Sequence, residues 1–161
     1  MAEITALTYP EDSARVLDLC RRANDYVRLE TGRDPDGAYV HETMTDATPN
    51  VASNHIWCWG HSAEDRSLDV MTTCLKGFYA PSDWYLGLLL VAKDARNTGL
   101  GTRMVQHVIN QACSDGAACL RIAVLDSNPR ARSFWQRLNF AHKKSTTGGD
   151  GQLRHVHRLP F

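Results

Sequence analysis

The apolar run Leu86-Gly87-Leu88-Leu89-Leu90-Val91 leads through a short connection into Arg96-Asn97-Thr98-Gly99-Leu100-Gly101-Thr102, and an amphipathic pattern follows at once. A strand that is apolar at successive positions has both faces covered, so it belongs in the middle of a sheet flanked by helices. A helix is predicted over 99–114. Leu100, Met104, Val105, Val108, Ile109, Ala112 and Cys113 recur at three- and four-residue steps, and Gly116 stops them. A glycine-rich turn at a helix start exposes several backbone N–H groups at the positive end of the helix dipole. Its glycines let a ligand approach the backbone closely. Arg96 adds a full positive charge. The combination suits a pyrophosphate. No Gly-Lys-Ser/Thr follows, which excludes a P-loop. The glycine spacing does not fit a dinucleotide-binding turn.

The rest of the chain alternates strand and helix patterns. Residues 4–8 read as a short strand. A helix is predicted over 11–31, with Val16, Leu19, Cys20, Ala23, Tyr26 and Val27 facing inward and Thr31-Gly32 ending it. Residues 32–50 are polar and weakly patterned, a loop with one short helix. Further strands are predicted at 55–60, 68–79, 84–92 and 120–125. Asn128-Pro129 opens another helix, with Asn as N-cap and Pro at the first helical position. Its inward face is Ala131, Phe134, Trp135 and Leu138. Two last strands, 140–147 and 153–159, flank Gly148-Gly149-Asp150-Gly151. The expected fold is α/β (α+β), one layered domain with a mixed sheet of about six to seven strands and three to four helices.

Composition narrows the function. The 161 residues carry 18 Lys plus Arg against 18 Asp plus Glu, a net charge of zero. Proteins that coat phosphate backbones carry a basic excess, so no nucleic-acid partner is expected. The first ten residues hold Glu3 and no basic segment before an apolar run, so no secretory leader is predicted. The longest apolar stretch, 84–92, is about half of a membrane span. The expectation is a soluble, cytoplasmic protein with no membrane partner. The five cysteines are odd in number and have no Cys-x-x-Cys spacing, so buried, reduced thiols are expected rather than a disulfide framework or a zinc site. His155 and His157 share a strand face but lack a third ligand. They are read as solvent-facing, and no metal is expected.

Two motifs together point further. Arg96, Gly99 and Gly101 match Gln/Arg-x-x-Gly-x-Gly/Ala, and Asn128, Ala131, Phe134 and Phe140 match Asn-x-x-Ala-x-x-Phe-Tyr-x-x-x-Gly-Phe. In this pairing and spacing the chain resembles the GNAT superfamily of N-acetyltransferases over about residues 88–140. The resemblance implies a single acyl-CoA N-acyltransferase domain over 1–161, with two central parallel strands that splay apart. It implies that acetyl-CoA, the co-substrate, is held at its pyrophosphate by the amides of Leu100, Gly101 and Thr102, with Arg96, Asn97, Thr98 and Gly99 forming the turn. The pantetheine arm would pair with the backbone of Leu89, Leu90 and Val91, and one of those N–H groups would polarise the thioester carbonyl. Asn128 would contact the cofactor as well as cap its helix, and Trp135 would wall the pocket.

Two departures bear on chemistry. Trp135 stands where the family has a tyrosine acid, and an indole N–H donates a hydrogen bond but delivers no proton near neutral pH. Tyr85 stands where histone-acetylating relatives carry a glutamate base, and a phenol of pKa near 10 is a poor base at pH 7. The candidate catalytic residues are therefore Tyr85, as an orienting group, and Asp83, two residues earlier on the same strand face. Asp34, Asp36, Glu42 and Asp46 lie in the segment that walls the acceptor site in the family, opposed by Arg33 alone. The resemblance then implies transfer of acetyl to a small cationic amine by direct attack in a ternary complex, and it admits a homodimer. A peptide or protein lysine acceptor, and a non-catalytic acyl-CoA-binding sensor or interaction module, remain as alternatives.

Overall fold

The computed structural model describes residues 3–46 and 55–161. Along them run β1 (Ile4–Ala6), α1 (Ser13–Arg22), α2 (Asn24–Thr31), α3 (Gly37–Thr45), β2 (Ile56–Ser62), β3 (Leu68–Lys76) and β4 (Asp83–Val91). After a single 3-10 turn at Lys93–Ala95 come α4 (Leu100–Ser114), β5 (Cys119–Leu125), α5 (Pro129–Arg137), β6 (Ala141–Thr147) and β7 (Leu153–Pro160). The strands form one mixed sheet in the order β1-β2-β3-β4-β5-β7-β6. Only β4 and β5 are parallel, because α4 carries the chain back over the sheet between them. The alternating pattern thus gives the mixed α/β fold expected.

Helices cover both faces of the sheet. On one, Val16, Leu19, Val27, Val40 and Met44 of α1, α2 and α3 pack on Leu68, Met71, Leu88 and Leu90. On the other, Met104, Val105 and Val108 of α4 and Trp135 of α5 pack on Trp84, Leu86, Leu120 and Ile122. The face that β4 offers changes along its length. Trp84 and Leu86 face α4, whereas Leu88 and Leu90 face α1–α3, so strict alternation fails between them. The cause is a bulge: Thr73 pairs with Leu88 and Cys74 with Leu86, which leaves Gly87 as the extra residue.

Three expectations need correcting. The helix expected over 11–31 is two, because the chain breaks at fully buried Ala23, whose N–H is shared between Leu19 O and Cys20 O. With α3, that makes five helices among the described residues. The polar segment 32–50 holds α3, capped by Asp36, and its last four residues lie outside the described residues. His155 and His157 face inward, 9% and 1% exposed. The reason is strand order: β7 lies between β5 and β6, and β6 is the exposed edge. His155 instead hydrogen-bonds Asp126 (2.7 Å) and Ser145 (2.8 Å). Four cysteines are buried and Cys113 is exposed.

Candidate active site

The β4–β5 ladder is short. It runs from Asp83↔Cys119 to Leu86↔Ile122 and ends there, at the Gly87 bulge, although both strands continue. Beyond that point the β4 edge that faces β5 has no ladder partner, and its peptide groups line an open cleft. The cleft has a volume of about 630 Å³. Its walls are the divergent ends of β4 and β5, the turn before α4 with the first residues of that helix, one side of α5 and part of α2.

The outer end of the cleft is the glycine-rich turn. Asn97 and Gly99 take left-handed backbone angles, φ 60° and 86°. They reverse the chain so that α4 points its N-terminus at the cleft. The first helical hydrogen bond is Arg103 N to Gly99 O, 3.0 Å, so the amides of Leu100, Gly101 and Thr102 lie ahead of the helical ladder. All three residues line the cleft. A Cβ at Gly101 would stand 3.5 Å from the Phe134 ring, an ordinary van der Waals contact. Thr98 turns its hydroxyl back onto Ala95 O, 2.5 Å away, and so shapes the turn.

Arg96 is placed differently from a free anion clamp. Its guanidinium forks onto Asp25 of α2 at 2.7 and 2.9 Å, and Nε donates to Val91 O at 3.2 Å. The hydrogen bonds from Arg96 pull the Asp25 carboxyl down to about 2. Its charge is thus matched inside the protein, while Arg130 and Arg137 of α5, both exposed, line the cleft. Sequence reasoning passed over these two; their seven-residue spacing on one helix face was the available signal.

Asn128 does what its position suggests. Its side chain accepts from Ala131 N at 3.2 Å and caps α5, and it lines the cleft as well. Trp135 is buried, edge-on to Phe134 and Phe140 with ring centroids 5.0 Å away in each case. Leu89, Leu90 and Val91 all border the cleft, on the part of β4 that pairs with β3 but no longer with β5.

Asp83 and Tyr85 lie on β4 in the paired ladder, just before the stretch that lines the cleft. Asp83 is buried and bound by Arg121 at 2.8 Å. Burial alone would raise its carboxyl, but hydrogen bonds from Arg121 and Cys119 outweigh that and hold it below the usual range. A carboxylate held that way is a weak base. Burial pushes the Tyr85 phenol well up, so it stays protonated at neutral pH. Asp34 pairs with Arg28 at 2.5 Å and Asp36 accepts from Tyr39 N, so these acids of the 34–46 segment serve α2 and α3 rather than the cleft. Trp57, Trp59 and Trp84 stack on one another, with centroids 4.6 Å apart for Trp57 and Trp84, as part of the core. The group that sequence reasoning missed is Glu30. It follows Tyr26 by one turn on α2, a spacing that puts both on one helix face. No group of three or more His, Cys, Asp or Glu among the described residues is placed to hold a metal. No helix among them is long and apolar enough to cross a membrane.

Residues 70–140 match the acetyltransferase (GNAT) family. Over those residues this chain is similar to the GNAT family. The matched segment runs from β3 to the end of α5 and so contains the splayed strands and the glycine-rich turn. The fold is shared with an acetyltransferase from Thermus thermophilus (TM-score 0.78, 20% identity, covering 100% of this chain and 97% of that one). It is shared too with the ribosomal-protein-S18-alanine N-acetyltransferase of Escherichia coli (TM-score 0.71, 16% identity, 99% and 94%). In sequence, 93 residues are 27% identical to a 5-NmdU N-acetyltransferase of Pseudomonas phage PaMx11, a stretch of 58% of this chain. The match spans 64% of the phage protein's length.

Proposed function

We propose that this protein is an acetyl-CoA-dependent N-acetyltransferase that acetylates a small cationic primary amine by direct attack in a ternary complex. The observation that carries the reading is one continuous surface: the unpaired edge of β4 beyond Leu86 runs straight to the amides of Leu100, Gly101 and Thr102. An extended chain carrying an anion at one end fits that surface. It would add to the β4 edge as a strand does, with its pyrophosphate at the α4 N-terminus. The residues present therefore fit acetyl-CoA. The polypeptide supplies binding through these backbone groups, a polarising N–H near the bulge, and a rim charge from Arg130 and Arg137. The two relatives named above whose names specify the bond formed are both N-acetyltransferases, which favours nitrogen as acceptor.

The test has two parts. Calorimetry measures acetyl-CoA binding. Mass spectrometry then reads acetyl transfer to spermidine, aminoglycosides, free amino acids and lysine peptides. One acetylated class of small amine establishes the reading. Binding without any product refutes it in favour of a sensor. Products on lysine peptides alone refute the small acceptor.

A further inference from the structure

Four ionisable groups lie on α2 and β4, two of the elements that wall the cleft, and three are already committed. Asp25 is forked by Arg96, Asp83 is bound by Arg121, and Tyr85 is a buried phenol. The fourth, Glu30, is half-buried on α2, whose Tyr26 and Leu29 line the cleft. The Tyr39 hydroxyl of α3 lies 3.5 Å from its Oε2, a long hydrogen bond, and the Tyr26 hydroxyl also hydrogen-bonds it. Tyr85 of β4 and Cys20 of α1 interact with it electrostatically. Arg154 of β7 is the cation that acts on it, but that guanidinium is forked onto Asp150 at 2.9 and 2.8 Å. Among the described residues no Lys or Arg forms an ion pair with Glu30. A carboxylate drawn out of water and bonded by phenols, whose one acting cation is shared with Asp150, is costly unless a further cation joins it. Its backbone is fixed as well, since Gln152 Nε2 donates to Glu30 O at 2.7 Å and pins the end of α2 to the loop before β7.

We propose that Glu30 is the catalytic base, and that the acceptor is a primary alkylammonium which docks against this carboxylate among Tyr26, Tyr39 and Tyr85. The proposal rests on the N-acetyltransferase reading. The ammonium gives one proton to a Glu30 oxygen. The freed nitrogen lone pair attacks the thioester carbonyl carbon, the N–C bond forms and the C–S bond breaks, with its electron pair leaving on sulfur. The surplus nitrogen proton passes to the thiolate, and Glu30 returns its proton to solvent. Ammonium and acetyl-CoA become amide, CoA thiol and one proton. Burial also pushes the Glu30 carboxyl above the ordinary glutamate value, against the pull of Tyr26, Arg154 and Tyr39, and that makes it a better base.

The test uses the intact chain and spermidine, or whichever panel amine is acetylated fastest. Glu30→Gln is expected to lower kcat at least about a hundredfold, the low end for general base catalysis. Acetyl-CoA affinity should stay within twofold, the acidic limb of the rate profile should vanish, and Glu30→Asp should recover part of the rate. Tyr39→Phe keeps the question open to measurement should Glu30→Gln fold poorly. It removes a hydrogen bond to the carboxylate, so the acidic limb should move to higher pH. Glu30→Gln with more than a tenth of the wild-type rate, or a limb unmoved by Tyr39→Phe, overturns the proposal. Wild-type protein that binds no acetyl-CoA, or acetylates no amine, overturns the N-acetyltransferase reading itself.

Discussion

Arg96 of the glycine-rich turn and Asp25 of α2 are joined by two parallel hydrogen bonds, 2.7 and 2.9 Å, across 71 positions of sequence. The pair ties the proposed phosphate end of the cleft to the helix that carries Tyr26, Leu29 and Glu30. A double-mutant cycle of Arg96→Ala and Asp25→Asn, followed by urea unfolding, should give a coupling of about 1 kcal/mol. That is near the upper end for a bidentate pair whose carboxylate is 43% exposed and screened by solvent. The folded-state Asp25 carboxyl lies below its unfolded value, so the contribution is complete above about pH 4 and is lost as pH falls toward 2. Added salt should shrink it.

Gly101 separates ligand binding from folding. A Cβ there meets only ordinary contacts, and the position lies in the first turn of α4. A glutamate at that point suits the helix dipole and removes a helix glycine, so Gly101→Glu should leave the melting temperature unchanged or slightly raised. The same carboxylate occupies the proposed anion site. Acetyl-CoA affinity should fall by at least a hundredfold in the folded variant. Unchanged affinity by calorimetry would place the pyrophosphate elsewhere.

Asp83 should behave as a structural residue, and Tyr85 as a wall of the acceptor site that transfers no proton. Asp83→Asn leaves Arg121 without its carboxylate in a largely buried place and should cost about 3 kcal/mol. The Asp83 carboxyl is held below its usual value, so wild type should lose this stability as pH drops below the ordinary carboxylate range, and Asp83→Asn should not. Tyr85→Phe removes a phenol that stays protonated near neutral pH, so the shape of the rate profile should be unchanged between pH 6 and 9. A limb that disappears in Tyr85→Phe would give the phenol a direct part.

Much of this arrangement is legible along the chain, and for physical reasons. Residues 88–140 hold the features whose geometry is local: a strand, a turn that needs left-handed angles, a helix N-terminus and an Asn-Pro cap. Each is encoded within a few residues. Glu30 is encoded by nothing local. Its setting comes from Tyr39 on another helix, Tyr85 on a strand and Arg154 near the end of the chain, and only the fold assembles them. The same holds for Arg96, whose partner lies on α2. The bulge at Gly87 was hidden because an all-apolar run reads alike on either strand face. His155 and His157 misled because strand order, not sequence order, decides which strand is the edge.

Trp135 replaces a family tyrosine, and its surroundings say what it does. The side chain is 6% exposed and edge-on to both Phe134 and Phe140, a geometry in which aromatic pairs contribute beyond their buried area. It supports the α5 wall of the cleft from within. Trp135→Phe leaves space beside two rings and should cost about 1–2 kcal/mol in urea unfolding. Because an indole is not a proton donor near neutral pH, the variant should keep kcat within about threefold at saturating acetyl-CoA. The KM for acetyl-CoA should rise more than kcat falls, since the wall loosens while the chemistry is untouched. Trp135→Tyr, which introduces the phenol that the GNAT motif carries, should gain nothing in kcat, because the surplus nitrogen proton reaches the thiolate without it. A rise of tenfold or more would mean that release of the thiolate limits the wild-type enzyme.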